Sequence, residues 1–241
     1  MSVHGIGAFV ITCEHGGNRV PAPYRPLFRD HLALLDTHRG YDPGALDMAR
    51  VLARAFAAPL VASTTSRLVV DLNRSIGHPG LYSDATRDVP EPVRARILDR
   101  VYWPYRERVA HAMHRATTAN RRVIHISSHS FTPSLDGVDR QAEVGLLYDP
   151  ARRGERELCA RWKAALAKLA PQLRVRLNYP YAGKADGVTK AMRGRYAPDA
   201  YVGVELEINQ GVVRAAGPAL AALHAALVQS LRVAAVPATT A

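Results

Sequence analysis

A chain of 241 residues that is 48% hydrophobic and free of low-complexity segments is long enough for one large α/β domain over residues 1–241 with its own core. No stretch approaches the roughly 20 apolar residues of a membrane span, the N-terminus lacks the regions of a signal peptide, and Cys13 and Cys159 form no disulfide framework, so a reduced, cytoplasmic setting is expected. The formal charge of +11 comes mostly from arginines scattered along helices, without zinc-finger spacing, an RNP-like aromatic cluster or a lysine-rich tail; it is weak evidence for a nucleic-acid partner and fits an enzyme of small anionic molecules equally well.

Residues 9–12 (FVIT) predict a first strand opening into a glycine-rich turn, Cys13-Glu14-His15-Gly16-Gly17-Asn18. The paired glycines let the backbone come close to whatever Glu14 and His15 face, which suits a metal or acid–base site as readily as an ordinary turn. Cys13 reads as a buried, inert thiol. After a proline-rich link over residues 21–26, the polar stretch 36–42 (DTHRGYD) leads into a helix with Pro43 in its first turn and Leu46, Ala49, Ala53 and Phe56 at helical spacing. Asp42 is then either the N-cap of that helix or a carboxylate held firmly enough to bind metal.

Residues 60–62 predict a second strand and residues 67–75 (RLVVDLNRS) a third, whose Arg67, Asn73 and Arg74 suggest a fork for a carboxylate, with surface ion pairing as the alternative. Val93, Ile97, Val101, Tyr105, Val109 and Met113 recur every fourth position and predict one long helix over 91–119, kinked or broken near Trp103 by Pro104. Residues 123–127 predict a buried strand, with Ser128, His129 and Ser130 where it ends, the place at which open α/β sheets put chemistry. A histidine flanked by hydroxyls can offer one ring nitrogen to a metal while the other is fixed by an acceptor; taken alone, it is more often a hydrogen-bonded structural histidine.

Residues 138–140, including Arg140, read as a loop, 144–148 as a strand, 155–169 as a helix and 175–177 as a short strand. In the turn 178–183 (NYPYAG), polar side chains such as Asn178 either reach a ligand or merely connect. Alternation over 202–209 (VGVELEIN) puts Glu205, Glu207 and Asn209 on one face and Val204, Leu206 and Ile208 on the other. Burying two acids costs several kcal/mol unless they are paired, which points to function or to a firm partner. Leu220, Leu223, Leu227 and Leu231 form the core stripe of a closing helix, ahead of a loose tail.

Taken together, CEHGGNRVP, HRGYDPGA, SRLVVDLNRS, HISSHSFTP, VGLLYD, NYPYAG and ELEIN resemble the N-formylglutamate amidohydrolase family over nearly the whole chain. The set is specific where no single motif is. That family is distantly similar to zinc carboxypeptidases, and the resemblance implies a three-layer α/β/α sandwich around a mixed, mostly parallel sheet of zinc-exopeptidase type. It also implies zinc, or another divalent metal, on His15, Asp42 and His129, with Glu207 and Arg74 in catalysis, Glu207 as the general base. Arg67, Asn73 and Arg74, with Arg140 and Asn178 beside them, would hold the carboxylate of a small anionic N-acyl amino acid.

Where the carboxypeptidase motif has its glutamate ligand, this chain has Asn18, so the acidic ligand comes from elsewhere; Glu14 competes with Asp42 for that role, and Glu205 with Glu207 for that of base. The expected reaction converts an N-acyl acidic amino acid such as N-formyl-L-glutamate to formate and L-glutamate. Glu14 and Glu205 mark a broader branch of the family, whose substrates need not be N-formylglutamate. The alternatives are a zinc carboxypeptidase or amidase acting on peptides or cell-wall fragments, and a non-catalytic basic protein that binds nucleic acid.

Overall fold

Runs of β-branched and apolar residues assemble into one six-stranded sheet in the computed structural model, which describes residues 7–119, 122–215 and 217–236. Its strands are β1 (Ala8–Cys13), β2 (Leu60–Ala62), β3 (Val123–Phe131), β6 (Val144–Leu147), β7 (Val175–Leu177) and β8 (Tyr201–Asn209), in the order β2-β1-β3-β8-β6-β7. The run from β2 to β8 is parallel, β6 is antiparallel to β8, and β7 is parallel to β6. Two short strands, β4 (Ser134–Leu135) and β5 (Val138–Asp139), form a separate hairpin. Arg140 therefore follows a hairpin strand instead of lying in a plain loop.

Helices cover both faces, as burial of a parallel sheet requires. On one face α2 (Ala45–Ala55), α5 (Arg153–Leu169) and α8 (Gly217–Ala235) bury Met48, Leu52, Trp162, Leu227 and Leu231 against Ile11, Ile124, Val204 and Leu206. On the other, α3 (Glu91–Ile97), α4 (Trp103–Ala119) and α6 (Val188–Arg193) bury Ile97, Tyr105, Val109, Met113 and Met192 against Val10, Val123 and Tyr201. The short α1 (Leu32–Leu35) follows a 3₁₀ segment over Ala22–His31 that absorbs the proline-rich link and buries Tyr24 and Phe28, and α7 (Gln210–Ala215) directly continues β8. At 19 residues, with a mean hydropathy of 1.3 over an 18-residue window, α8 has the length and composition of a membrane span. Its leucine stripe is spent on the core, where Leu223, Leu227 and Leu231 are buried.

Several sequence expectations change for identifiable reasons. The helix expected over 91–119 is interrupted by a π-helical turn at Leu98–Tyr102 immediately ahead of Trp103 and Pro104. Proline lacks the N–H that would continue the ladder, and a widened turn absorbs the mismatch. Residues 67–75 are not a strand but a succession of turns. There Ser66 Oγ accepts from the Leu68 N–H and Asp71 Oδ1 from the Asn73 N–H, side-chain bonds that replace a ladder, while Val69, Val70 and Leu72 still reach the core. β3 does not end at Ser127: β8 continues the ladder to Phe131, so His129 stands inside a strand. Asp42 is not a side-chain cap, because Gly44, in the left-handed region at φ 78°, takes the N-cap position of α2 and leaves the carboxylate to face the sheet. The tail over 237–241 lies outside the described residues.

Buried polar groups line the inner face of β3 toward its C-terminal end. His125 is the first, with Nε2 2.9 Å from the Thr12 hydroxyl and Nδ1 2.6 Å from the Tyr201 hydroxyl. Burial, helped by Arg193 and His129 against the opposing pull of Glu14, pushes its pKa down to about 4. The native state thus binds fewer protons than the unfolded chain between about pH 6.5 and 4, and stability is lost as pH falls through that window. In chelating buffer, wild type should lose about 2 kcal/mol more than His125→Gln between pH 7 and 4.5 in urea unfolding; equal losses would refute the neutral, buried imidazole.

Candidate metal and hydrolytic centre

The C-terminal ends of β1 and β3 and the turn before α2 bring three donors together. His15 Nδ1 lies 3.3 Å from Asp42 Oδ2, and His129 Nδ1 lies 2.9 Å from the same oxygen. Ligand atoms of these three buried residues all fall within 4.8 Å of one another. Asp42 is fixed through its backbone as well, since its N–H donates to the His15 carbonyl.

Each ring is held from behind by a buried carboxylate. His15 Nε2 is 2.7 Å from Asp71 Oδ1, and His129 Nε2 is 3.2 Å from Glu14 Oε2. Glu14, wholly buried, accepts from the Tyr105 hydroxyl at 2.7 Å and from the Ser127 hydroxyl at 2.7 Å. Backing of this kind sets which ring nitrogen is free and makes it more basic. Glu14 is thereby engaged behind His129, and the carboxylate at the centre of the cluster is that of Asp42. Sequence reading missed Asp71 because it lay inside an apparent strand; its short spacing to Arg67 and Asn73, both of which it binds, was the available signal.

The electrostatics follow from this packing. Burial alone would raise the Asp42 and Glu14 carboxyls, but His15, His129 and Arg67 around Asp42, and His129, Tyr105 and Ser127 around Glu14, hold both well below the usual carboxylate range. Asp71 is lowered in the same way, against its burial, by Arg67 and His15. His129 is raised, since its bonds to Asp42 and Glu14 outweigh the burial that would lower it. Glu207 goes the other way: burial, with Asp42 and Glu205 nearby, pushes it up to about 8 although His129 pulls it down.

Glu207 is the register partner of His129 across β3 and β8. Its Oε2 is buried without a hydrogen-bond partner, an expensive state in an interior. On its other side the register partner is Gly145, where a Cβ would collide with the Tyr179 carbonyl. Glu205, two residues earlier on the same face, is already bound by the Thr189 hydroxyl at 2.5 Å and lies beside Gly187.

A cavity of about 230 Å³ opens over this cluster, and His15, Asp42, Arg67, Asn73, Arg74, His129, Glu205 and Glu207 all line it. Arg67 donates to Asp71 at 2.7 Å and to Asp42 at 3.4 Å, while Arg74 reaches the Asp186 carbonyl at 2.8 Å. The Asn73 Oδ1 accepts from the Val188 N–H at 2.7 Å, so the amide nitrogen is the donor this cavity-lining residue has to offer. Three expected residues stand elsewhere. Asn178 Oδ1 accepts from the N–H groups of Tyr148 and Gly183, so its amide ties a loop together instead of lining the cavity. Arg140 sits behind the wall, donating to the Tyr181 hydroxyl at 3.2 Å and lying over the Phe131 ring. Asn18 is turned to Asp36, at 2.7 Å, on the exposed side of its turn.

A larger groove of about 1410 Å³ runs along the edge strand β2, but the titratable groups on its wall are all exposed and unconverged, so size does not mark the chemistry here. The small cavity does. Two imidazole nitrogens and a carboxylate oxygen pointing at one place, with their outer partners satisfied and a free acid beside them, fit a divalent metal with an open coordination side.

The family model described as N-formylglutamate amidohydrolase matches residues 7–213. No curated protein matches the chain. Among solved structures, a gene product of Agrobacterium tumefaciens is similar at 32% identity, over 95% of this chain and 91% of its own, with a TM-score of 0.81. An N-formylglutamate amidohydrolase from Ralstonia eutropha JMP134 is similar in fold, at 20% identity over 96% of this chain and 94% of its own, with a TM-score of 0.68.

Elemental analysis of the purified protein is expected to find about one divalent ion per chain, lost in Asp42→Asn. Asp71→Asn, which weakens the support behind His15, should lower metal affinity about 10- to 100-fold in chelator competition. Unchanged affinity in both variants would reject the assignment of the cluster.

Proposed function

Because the chain belongs to the N-formylglutamate amidohydrolase family, we propose that it hydrolyses the formyl, or a closely related acyl, amide of an N-acyl acidic amino acid such as N-formyl-L-glutamate. Water is added across the C–N bond, giving a carboxylic acid, formate for a formyl group, and the free amino acid. The observation that carries the reading is the convergence of His15, Asp42 and His129 beside the unpartnered oxygen of Glu207 in one cavity.

His15 Nδ1, His129 Nδ1 and Asp42 would hold the metal, and the nitrogen-rich donor set suits zinc. When bound, such an ion supplies Lewis acidity toward the amide carbonyl and toward a water molecule. Glu207 takes the proton of the attacking water on its free Oε2 and delivers it to the leaving nitrogen. Glu207, raised to about 8 by its burial, would be favoured in its ionised form by a cation held on His15, Asp42 and His129.

Arg74 and Asn73, which both line the cavity, would take the substrate carboxylate through their side-chain N–H groups. Arg67, pinned by Asp42 and Asp71, presents a fixed positive group where charge develops on the carbonyl oxygen.

With N-formylglutamate, Glu207→Gln is expected to lower kcat by about 10² to 10⁴ while metal content stays at the wild-type level. Near-normal turnover would remove Glu207 from the base role. Arg74→Met should act mainly on KM, raising it about tenfold or more as a charge-assisted contact is lost; an unchanged KM would move the carboxylate elsewhere in the cavity.

A further inference from the structure

Among the described residues only two buried side-chain polar atoms lack a hydrogen-bond partner, Glu207 Oε2 and Gln210 Oε1. Both belong to residues that line the same cavity, and they lie three positions apart at the end of β8 and the start of α7. Glu207 has its role in the reaction. Gln210 has none so far, although its side chain is completely buried.

The amide of Gln210 is oriented by its other end. Its Nε2 donates to the Ser130 hydroxyl at 3.2 Å, and the Ser130 N–H in turn faces Asp42 Oδ2 at 3.5 Å. Gln210 is thus tied to the strand that carries His129, and its side-chain carbonyl oxygen is left without a donor in a residue that lines the cavity. Burial of an acceptor without a donor is unfavourable, and native interiors keep such an atom chiefly where a ligand supplies the missing donor.

The ligand chemistry narrows the choice. An N-acyl amino acid offers acceptors almost everywhere: the acyl oxygen and each carboxylate only accept. Its one outward donor in the reacting region is the N–H of the scissile amide. We propose that Gln210 is a substrate-binding residue whose Oε1 accepts that N–H, so that the cavity selects secondary amides over esters. Holding the N–H on Gln210 leaves the developing nitrogen lone pair free for the proton carried by Glu207. This rests on the amidohydrolase reading given above.

The test compares an amide and its oxygen counterpart in metal-loaded enzyme: N-formylglutamate, or N-acetylglutamate if wild type prefers it, against the matching acyl ester of 2-hydroxyglutarate, in which oxygen replaces the N–H. Gln210→Met should lower kcat/KM for the amide about 10- to 100-fold and for the ester by less than about threefold. Gln210→Asn, which draws the amide back by one methylene, should show the same selective loss and serves if the methionine variant does not fold. Equal losses on amide and ester, or none on the amide, would overturn the proposal. A wild type inert toward both compounds would instead overturn the amidohydrolase reading, and the role of Gln210 with it.

Discussion

One carboxylate oxygen organises this site. Asp42 Oδ2 faces His15 Nδ1 and His129 Nδ1 at once, while Oδ1 of the same group accepts from Arg67. Asp42 and its three partners come from four separate segments: the turn before α2, the end of β1, the turns after β2 and the C-terminal part of β3. Gly44 makes this geometry available, because its positive φ lets the chain turn into α2 while Asp42 stays directed at the sheet. A cap at Asp42 would have spent the carboxylate on the helix.

The sheet supplies the remaining precision. In parallel pairing the register of β1, β3 and β8 decides which side chains meet, and a slip of one residue would send every one of them to the opposite face. With Thr12 beside Ser127, Ser127 beside Glu205 and His129 beside Glu207, the inner face carries polar groups where the outer face carries Ile124, Ile126, Val204 and Leu206. The same sheet is thus an apolar platform for α2, α5 and α8 and, at the C-terminal end of its other face, a row of ionisable groups. Such rows are tolerated only when each member finds a partner, and nearly all do. Glu14 has Tyr105, Ser127 and His129; Glu205 has Thr189.

Much of this was legible in the sequence because periodicity is a local property. Alternation over 202–209 identified β8 and its two inward acids, and the motif stretches located His15, Asp42 and His129. Non-local competition explains what local pattern could not show. Residues 67–75 have a strand's composition, but Ser66 and Asp71 offer the backbone closer partners than a neighbouring strand does. Asn178 looked like a ligand-reaching polar residue, yet its amide is consumed by two backbone N–H groups in its own loop. Asp71 was hidden in the same apparent strand: its spacing to Arg67 and Asn73 hinted at a role, but the histidine it meets lies 56 positions away.

Charge balance accounts for why a cluster this acidic is stable inside a strongly basic chain. Glu14, Asp42 and Asp71 are all held ionised in the interior, against one guanidinium, Arg67, and an imidazole, His129, driven toward its protonated form. Glu207, whose Oε2 has no hydrogen-bond partner, is instead raised toward its protonated form by burial. A divalent ion among His15, Asp42 and His129 would take over the work of the His129 proton and lower the cost of ionising Glu207, so binding would release protons as it filled the site. The acids that make the interior costly are therefore the same groups that would make it selective for a cation, and an ionised Glu207 would appear when that cation arrives.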